Sequence, residues 1–275
     1  MKLLDKVLAR QGLLLVIVAA LTLDATGIIQ YYFSAKGIKE EAVRQAQSQL
    51  EITNLQITNV MEQVESAVHN NLWAARRTLP YPDSLFLMTG RIVKDNPVII
   101  GSAVALRPDF YPEKGHLFAP YSCRENGEIV QKQLGTEEYN YLSAEWYTKP
   151  LELDGGYWSE PYFDEGGGNV PLSTDSVPLR DHDKHVVGVL TADVSLDWLT
   201  DKVGTPDAYT NAFSMLISRS GRIMVCPIDT LSMRATIQGI TSTLDDTMSI
   251  AEANRAMLSR EAGSRTFTYH NKVCH

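Results

Sequence analysis

Between Gly12 and Phe33 the chain is apolar apart from Thr22, Asp24, Thr26 and Gln30, a length that suits a helix crossing ~30 Å of hydrocarbon. No other feature limits the fold as strongly, because such a segment belongs to a membrane and leaves the remaining residues to fold beside it. Lys2, Lys6 and Arg10 precede the run. By the positive-inside tendency they place the amino terminus in the cytoplasm, and Tyr31, Tyr32 and Phe33 suit the opposite interface. The expectation is a single pass through the inner membrane, with everything after Ser34 outside. A cleavable signal peptide is the rival reading, although Phe33-Ser34-Ala35 puts a bulky residue where a small one is wanted before a cut. Asp24, near the middle of the span, costs ~2.5–3.5 kcal/mol on insertion scales unless paired or protonated. It reads either as a polar contact across a pair of helices or as a tolerated residue that shifts the helix outward.

From Lys36 to Arg77 there is no proline and Gly37 is the only glycine. Val43, Ala46, Leu50, Thr53, Ile57, Val60, Val64 and Ala67 fall at alternating three- and four-residue steps. That pattern predicts a long helix with a coiled-coil-like seam, ended by Pro80 and Pro82. The seam has two readings, a helix packed on its own sheet or the stalk of a dimer.

Downstream, Ser84 to Asp95 reads as a helix and Val98 to Leu106 as a buried strand. Phe118 to Cys123 and Ile129 to Leu134 flank Asn126-Gly127, a pair that accepts the positive φ of tight hairpin turns. Tyr139, Tyr141, Trp146 and Tyr147 crowd four aromatics into nine positions. The block from Trp158 to Leu199 reads as two strands, a polar turn and a helix start. In its second strand, His185 to Val194, alternation puts Val187, Val189, Thr191 and Asp193 on one face, and Val186, Leu190, Ala192 and Val194 on the other. A carboxylate therefore ends an otherwise apolar row. Ser195 offers an N-cap and Asp197 a first-turn charge for the helix that follows. A first module runs from about Leu79 to Val203. Gly204 to Tyr209 reads as a linker. A second module then opens with a hairpin, Phe213 to Ile217, Ser218 to Gly221 and Arg222 to Val225. It continues with a helix from Leu244 to Arg260 closed by Gly263, and a strand from Ser264 to Tyr269. The resulting class is α+β, divided as 1–11 cytoplasmic, 12–33 membrane helix, 34–78 stalk, 79–203 membrane-distal module and 204–275 membrane-proximal module.

With 44% hydrophobic residues and a net charge of −8, nothing favours nucleic acid as a partner. The three cysteines, Cys123, Cys226 and Cys274, are far apart and lack ligand-spaced histidines. They suggest neither a zinc site nor a disulfide framework, and a bridge from Cys123 to Cys226 stays open.

The Trp158 to Leu199 block resembles the Cache family of extracytoplasmic sensor domains. Q-Y-Y-F near the membrane, N-Y-L-S-A-E-W-Y-T-K-P, S-E-P-Y-F-D-E-G-G-G and S-R-S-G-R-I-M extend the likeness. Together with the order of elements, they make the chain similar to the double-Cache sensor region of bacterial receptors with HAMP and either serine/threonine phosphatase or histidine kinase output. The resemblance implies two PAS-like antiparallel-sheet modules, the second incomplete, and a small-molecule ligand. It also implies a homodimer through the stalk helix, and a chain truncated at Cys274-His275 before a returning strand, a second span and the output domain. Amino-acid-binding members share a tyrosine, an arginine, an adjacent tryptophan and aromatic, and a strand-end aspartate. Tyr139, Trp146, Tyr147 and Asp193 fit that pattern, but Ala144 stands where the arginine is expected. Alanine cannot replace the paired charged hydrogen bonds by which arginine holds a carboxylate. The implied ligand is thus an amine, or a neutral polar molecule stacked on Trp146, rather than a free amino acid. Tyr121, Tyr162 and Asp164 complete the candidate ligand-binding set, with no cofactor and no metal.

Rival readings attach to several residues. Asp164, Glu165 and Gly166 to Gly168 could hold a cation or phosphate, but no following lysine completes a P-loop and calcium-loop spacing is absent, so a pocket-rim loop is expected. His182, Asp183 and His185 tempt a metal reading but fall at a hairpin tip. Trp158, like the other aromatics, can be framework. A membrane-anchored extracytoplasmic hydrolase is the second function class, though neither G-x-S-x-G nor H-E-x-x-H occurs.

Overall fold

The computed structural model describes residues 2–136, 139–164, 170–203, 214–226, 231–241, 247–259, 263, 267–269 and 272–274. The chain divides into two units, Met1–Asn54 and Leu55–His275. The described residues of the first unit, 2–54, are helical and belong to α1 (Lys2–Thr78). This helix is long and apolar enough to cross a membrane, and the protein buries none of its apolar window. The hydroxyl of Thr22 donates to the Ala19 carbonyl at 2.8 Å, and that of Thr26 to the Thr22 carbonyl. Both threonine hydroxyls are thereby satisfied within the helix, as a hydrocarbon setting requires.

The second unit begins inside α1 and continues with α2 (Ser84–Asp95), β1 (Gly101–Leu106), β2 (Ala119–Glu125), β3 (Glu128–Leu134) and α3 (Glu145–Leu153). Then come β4 (Tyr157–Trp158), β5 (Tyr162–Phe163), β6 (Pro171–Arg180), β7 (Val186–Ser195) and α4 (Asp197–Lys202). The strands form one antiparallel sheet in the order β3-β2-β1-β7-β6-β4, with β5 also on β6. The expected α+β class, a long apolar helix followed by an antiparallel PAS-like sheet, is what the chain adopts. Farther on lie β8 (Leu216–Ile217), β9 (Ile223–Val225), α5 (Ile237–Thr241), α6 (Thr247–Leu258), β10 (Phe267–Tyr269) and β11 (Lys272–Cys274). β8 pairs with β9, and β10 with β11.

Alternation along the strands sends side chains into two cores. On one face Val104 and Leu106 of β1 and Leu190, Ala192 and Val194 of β7 meet Val64, Val68 and Ala75 of α1 and Leu85, Ile92 and Val93 of α2. Each fully buried Val, Leu or Ile contributes ~1.5–3 kcal/mol of transfer free energy, which fixes the helices on that face. On the other face the small residues Ala103 and Ala105 of β1 leave room for large ones, Tyr121, Tyr141, Trp146 and Tyr147. The Asn126-Gly127 turn joins β2 to β3 with φ of 50° and 85°, as the sequence predicts.

Several expectations need correction. Val187 packs with Leu190 and Ala192, not on the Asp193 face. The ladder to β6 shifts register between Leu179 and Arg180, and a bulge of this kind resets the alternation. The stalk seam is partly used within the subunit. Val64 is fully buried and Ala67 nearly so, Val60 packs on the same core, and Ile57 joins Leu196, Leu199 and Val203, whereas Leu50 is 55% exposed. The strand expected from Val98 starts at Gly101, since Ile99 N–H turns back to the Asn96 carbonyl at 3.0 Å. The N-cap of α4 is Leu196, and the Ser195 hydroxyl accepts the Asp197 N–H at 3.1 Å from one position earlier. The strand ending at Tyr269 is not left unpaired, because Lys272–Cys274 returns along it. Cys123 and Cys226 are both buried, and the bridge between them is not made. The linker from Gly204 to Tyr209, Glu165 and the glycines Gly166 to Gly168, residues 244–246 and His270 lie outside the described residues.

Candidate functional site

Asp193 sits on β7 opposite Gly101 of β1 and Thr174 of β6. A Cβ on Gly101 would stand 2.2 Å from the Tyr121 hydroxyl and 2.5 Å from Asp193 Oδ2. Only glycine lets these two side chains converge over β1. Asp193 Oδ1 accepts the Thr174 hydroxyl at 2.8 Å, and that hydroxyl also shares a 2.8 Å bond with Tyr162. The Tyr121 hydroxyl, fully buried, lies beside the carboxylate without a well-aligned partner. Tyr139 donates to Asp164 at 3.3 Å.

Two carboxylates therefore share one buried patch, each about 5% exposed or less. Burial raises the Asp193 pKa, and the negative charge of Asp164 adds to the shift, while the bond from Thr174 and the nearby Tyr121 hydroxyl oppose it. The hydroxyls of Tyr121, Tyr139 and Tyr162 are pushed well above the ordinary tyrosine value, by burial first and then by the same carboxylates. They stay protonated and can donate. Among the described residues, Lys132 of β3 is a cation whose charge reaches Asp164, and it also bonds Glu125. Desolvated acids of this kind demand a positive or hydrogen-bonding partner.

The structure thus brings Tyr121, Tyr139, Tyr162, Asp164 and Asp193 together. Trp146, at the start of α3, joins this group through Tyr139 and lies against Tyr141 with ring centroids 6.1 Å apart. Tyr147, on the same helix, packs in the same aromatic cluster: its ring meets Tyr141 at 5.1 Å and Trp146 at 6.2 Å, and its charged neighbour is Arg107. Ala144 is the N-cap residue of α3 and packs against the aromatic core. Sequence reasoning missed Gly101 and Thr174. Both lie directly across from Asp193, so the pairing of β7 with its neighbours is the signal that would have found them.

Two other places do not join the site. A polar groove of about 440 Å³, lined by Asn59, Glu62, Gln63, Ser66, Asn70 and Asn96 among others, contains none of the predicted residues. At the β6–β7 turn Asp181, Asp183 and His185 bring ligand-type atoms within 4.8 Å of one another. Asp183 and His185 are exposed, and Asp181 already accepts the His185 N–H at 2.9 Å.

Residues 87–201 match the family model for the first PDC sensor domain of methyl-accepting chemotaxis protein-like proteins. Over this stretch the chain is similar to PDC sensor domains. Several solved structures share the fold of the chain. One is the extracellular domain of soHK1S-Z6, assigned as a histidine kinase, with 22% identity, coverage of 80% of this chain and 82% of that one, and a TM-score of 0.61. Another is the ligand-binding domain of the Campylobacter jejuni chemoreceptor Tlp3 in complex with L-valine, with 12% identity, 86% and 88% coverage and a TM-score of 0.59. A third is the ligand-binding domain of the Pseudomonas fluorescens chemoreceptor CtaA in complex with L-leucine, with 15% identity, 81% and 78% coverage and a TM-score of 0.50. No curated protein matches the chain by sequence. Each of the three is an extracellular or ligand-binding domain. The Asp193 site lies within the matched PDC stretch.

Proposed function

We propose that this chain is the sensory part of a membrane-anchored receptor, and that its PDC pocket takes a small ligand bearing an ammonium group. The observation that carries the reading is the buried pair Asp164 and Asp193 inside a rim of tyrosine hydroxyls, with Ala144 at the N-cap of α3. Two proteins of this fold carry L-valine and L-leucine. An amino acid presents an ammonium and a carboxylate; the acidic patch suits the first, and the second needs a cation fork that alanine lacks. An amine, or a neutral polar molecule stacked on Trp146, therefore fits better than a free amino acid. Tyr121, Tyr139, Trp146, Tyr162, Asp164 and Asp193 form the contacting set, with Tyr147 behind them.

In this reading the positive residues before α1's apolar run hold the amino terminus inside, and the PDC domain faces outward from the inner membrane. The residues after Val203 form a membrane-proximal module. The exposed seam around Leu50 pairs two copies, and the signal passes to an output domain of phosphatase or kinase type. The test is a calorimetric binding screen of the full chain in lipid nanodiscs, with primary amines beside their matched α-amino acids. Saturable amine binding is expected, and it should be lost in Asp193→Asn. Tighter binding of the amino acids than of the amines would overturn the assignment.

A further inference from the structure

Four consecutive residues at the edge of the sheet, 157–160, touch every part of the molecule that a filled pocket would have to influence. Ser159 is tied to Thr174 in both directions: its N–H donates to the Thr174 carbonyl at 2.9 Å, and its hydroxyl accepts the Thr174 N–H at 3.0 Å. Thr174 is the residue that bonds Asp193. Glu145, the residue before Trp146 in α3, accepts the Tyr157 hydroxyl and the Glu160 N–H, the latter at 3.1 Å. Trp158 donates from its indole to Glu65 of α1 at 2.8 Å. Arg219 and Ser220, in the β8–β9 turn, complete the set. Arg219 donates to the Trp158 carbonyl at 2.9 Å, with its guanidinium 5.2 Å from the Tyr157 ring centroid, and the Ser220 hydroxyl donates to Glu160 at 2.8 Å.

We propose that residues 157–160 are the coupling element of this sensor, carrying the state of the Asp193 pocket along two branches, one to α1 through Trp158 and one to the β8–β9 hairpin through Arg219 and Ser220. The proposal rests on the pocket reading given above. Its physical basis is the kind of contact involved. β4 is an edge strand two residues long, held to the sheet only by β6 at Ser176 and Asp175, so little ladder resists its displacement. Trp158 packs at the edge of the core shared with α1 and α2, and the remaining links of residues 157–160 are directional hydrogen bonds and charged contacts. Such bonds lock or release in discrete arrangements, which is how a small movement at one site biases a second element. A shift of Thr174 or of the first turn of α3 therefore cannot occur without moving Trp158 and Glu160.

The experiment uses hydrogen–deuterium exchange on the full chain in nanodiscs, with Asp193→Asn as a pocket perturbation that needs no ligand. In the parent background this change should alter exchange by about fivefold or more at β6, in residues 57–68 of α1 and in residues 216–225. Adding Arg219→Ala with Ser220→Ala should abolish the response at 216–225 while the response at β6 and α1 persists. Both residues are exposed, so a melting temperature close to the parent's confirms that the double variant folds. Arg219→Lys should restore part of the hairpin response, and Trp158→Phe should silence the α1 branch alone. A hairpin response undiminished by the double variant would overturn the proposal, as would an Asp193→Asn effect confined to the pocket or absent altogether. Failure of amine binding with the two-branch exchange pattern intact would strike the ligand reading and leave the coupling standing.

Discussion

The two faces of the β6–β7 pair each bury one aspartate, and the contrast between them shows what a buried acid means. Asp193, facing the aromatic core, is bonded by Thr174 and surrounded by tyrosine hydroxyls beside a second carboxylate. Asp175 pairs with Ala192, one step along from the Thr174–Asp193 pair, and therefore faces the opposite side, toward Glu65 and His69 of α1. It is 2% exposed, and its Oδ2 has no partner among the described residues. Burial pushes its pKa up to about 7, with Glu65 adding to the shift and His69 opposing it. One acid sits among hydroxyl donors and a second carboxylate; the other is covered by the protein's own helix. Burial alone does not mark a binding residue. The chemistry of the surrounding side chains does.

The contrast can be broken first at Gly101. Gly101→Ala should lower stability by about 3 kcal/mol, because the added methyl would overlap the Tyr121 hydroxyl and Asp193; chemical denaturation would measure it. A loss below ~0.5 kcal/mol would mean that the two side chains do not converge over β1. Next, Asp193→Asn should weaken binding of the best amine by about 100-fold, or about 2.7 kcal/mol, with little change in melting temperature. Parent affinity should also rise with pH, since the ammonium pairs with the ionised carboxylate and Asp193 starts with a raised pKa. Titrations in buffers of differing ionisation enthalpy should show protons released on binding.

On the opposite face the sign reverses. The folded-state pKa of Asp175 lies above its unfolded value, so the fold is favoured by the protonated acid, and stability falls as pH rises from about 4 to about 7. Asp175→Asn should lessen that slope, to which the raised Asp193 also contributes, and raise stability at pH 8 by roughly 2 kcal/mol, without affecting ligand affinity. A destabilised Asn variant at pH 8 would show that the ionised carboxylate has a partner in solution. The smallest effect is expected at Tyr147, whose charged neighbour is Arg107 rather than either carboxylate. Tyr147→Phe should change amine affinity by less than about threefold, under 0.7 kcal/mol.

Local patterns carried most of the fold. Ser84–Asp95 is the helix that its sequence predicts, buried along Leu85, Met88, Ile92 and Val93, and the Asn-Gly hairpin forms where turn chemistry puts it. Asp193 stood out because a charge ended an apolar row. What could not be read was information held between segments. Nothing local distinguishes Val187 from its neighbours until β6 shifts register against β7. The three-four repeat of the stalk is the same whether its partner is a second copy or the helix's own sheet, and Val64 and Ile57 turned out to use the sheet and the hairpin cluster. Asp175 lay in a strand whose boundaries the sequence left undefined, and its role as a second buried acid depends on residues more than a hundred positions earlier, Glu65 and His69.

Cys123 lies opposite Gly101 on β2, buried on the Asp193 face, and its thiol is pushed up to about 11, chiefly by desolvation. Only the thiolate attacks disulfides and alkylating reagents, and at neutral pH roughly one molecule in 10⁴ would carry it. The cysteine is therefore chemically silent. In oxidising surroundings it can persist reduced without a bridge, and a reporter thiol placed on the surface should be modified by a maleimide long before Cys123 reacts.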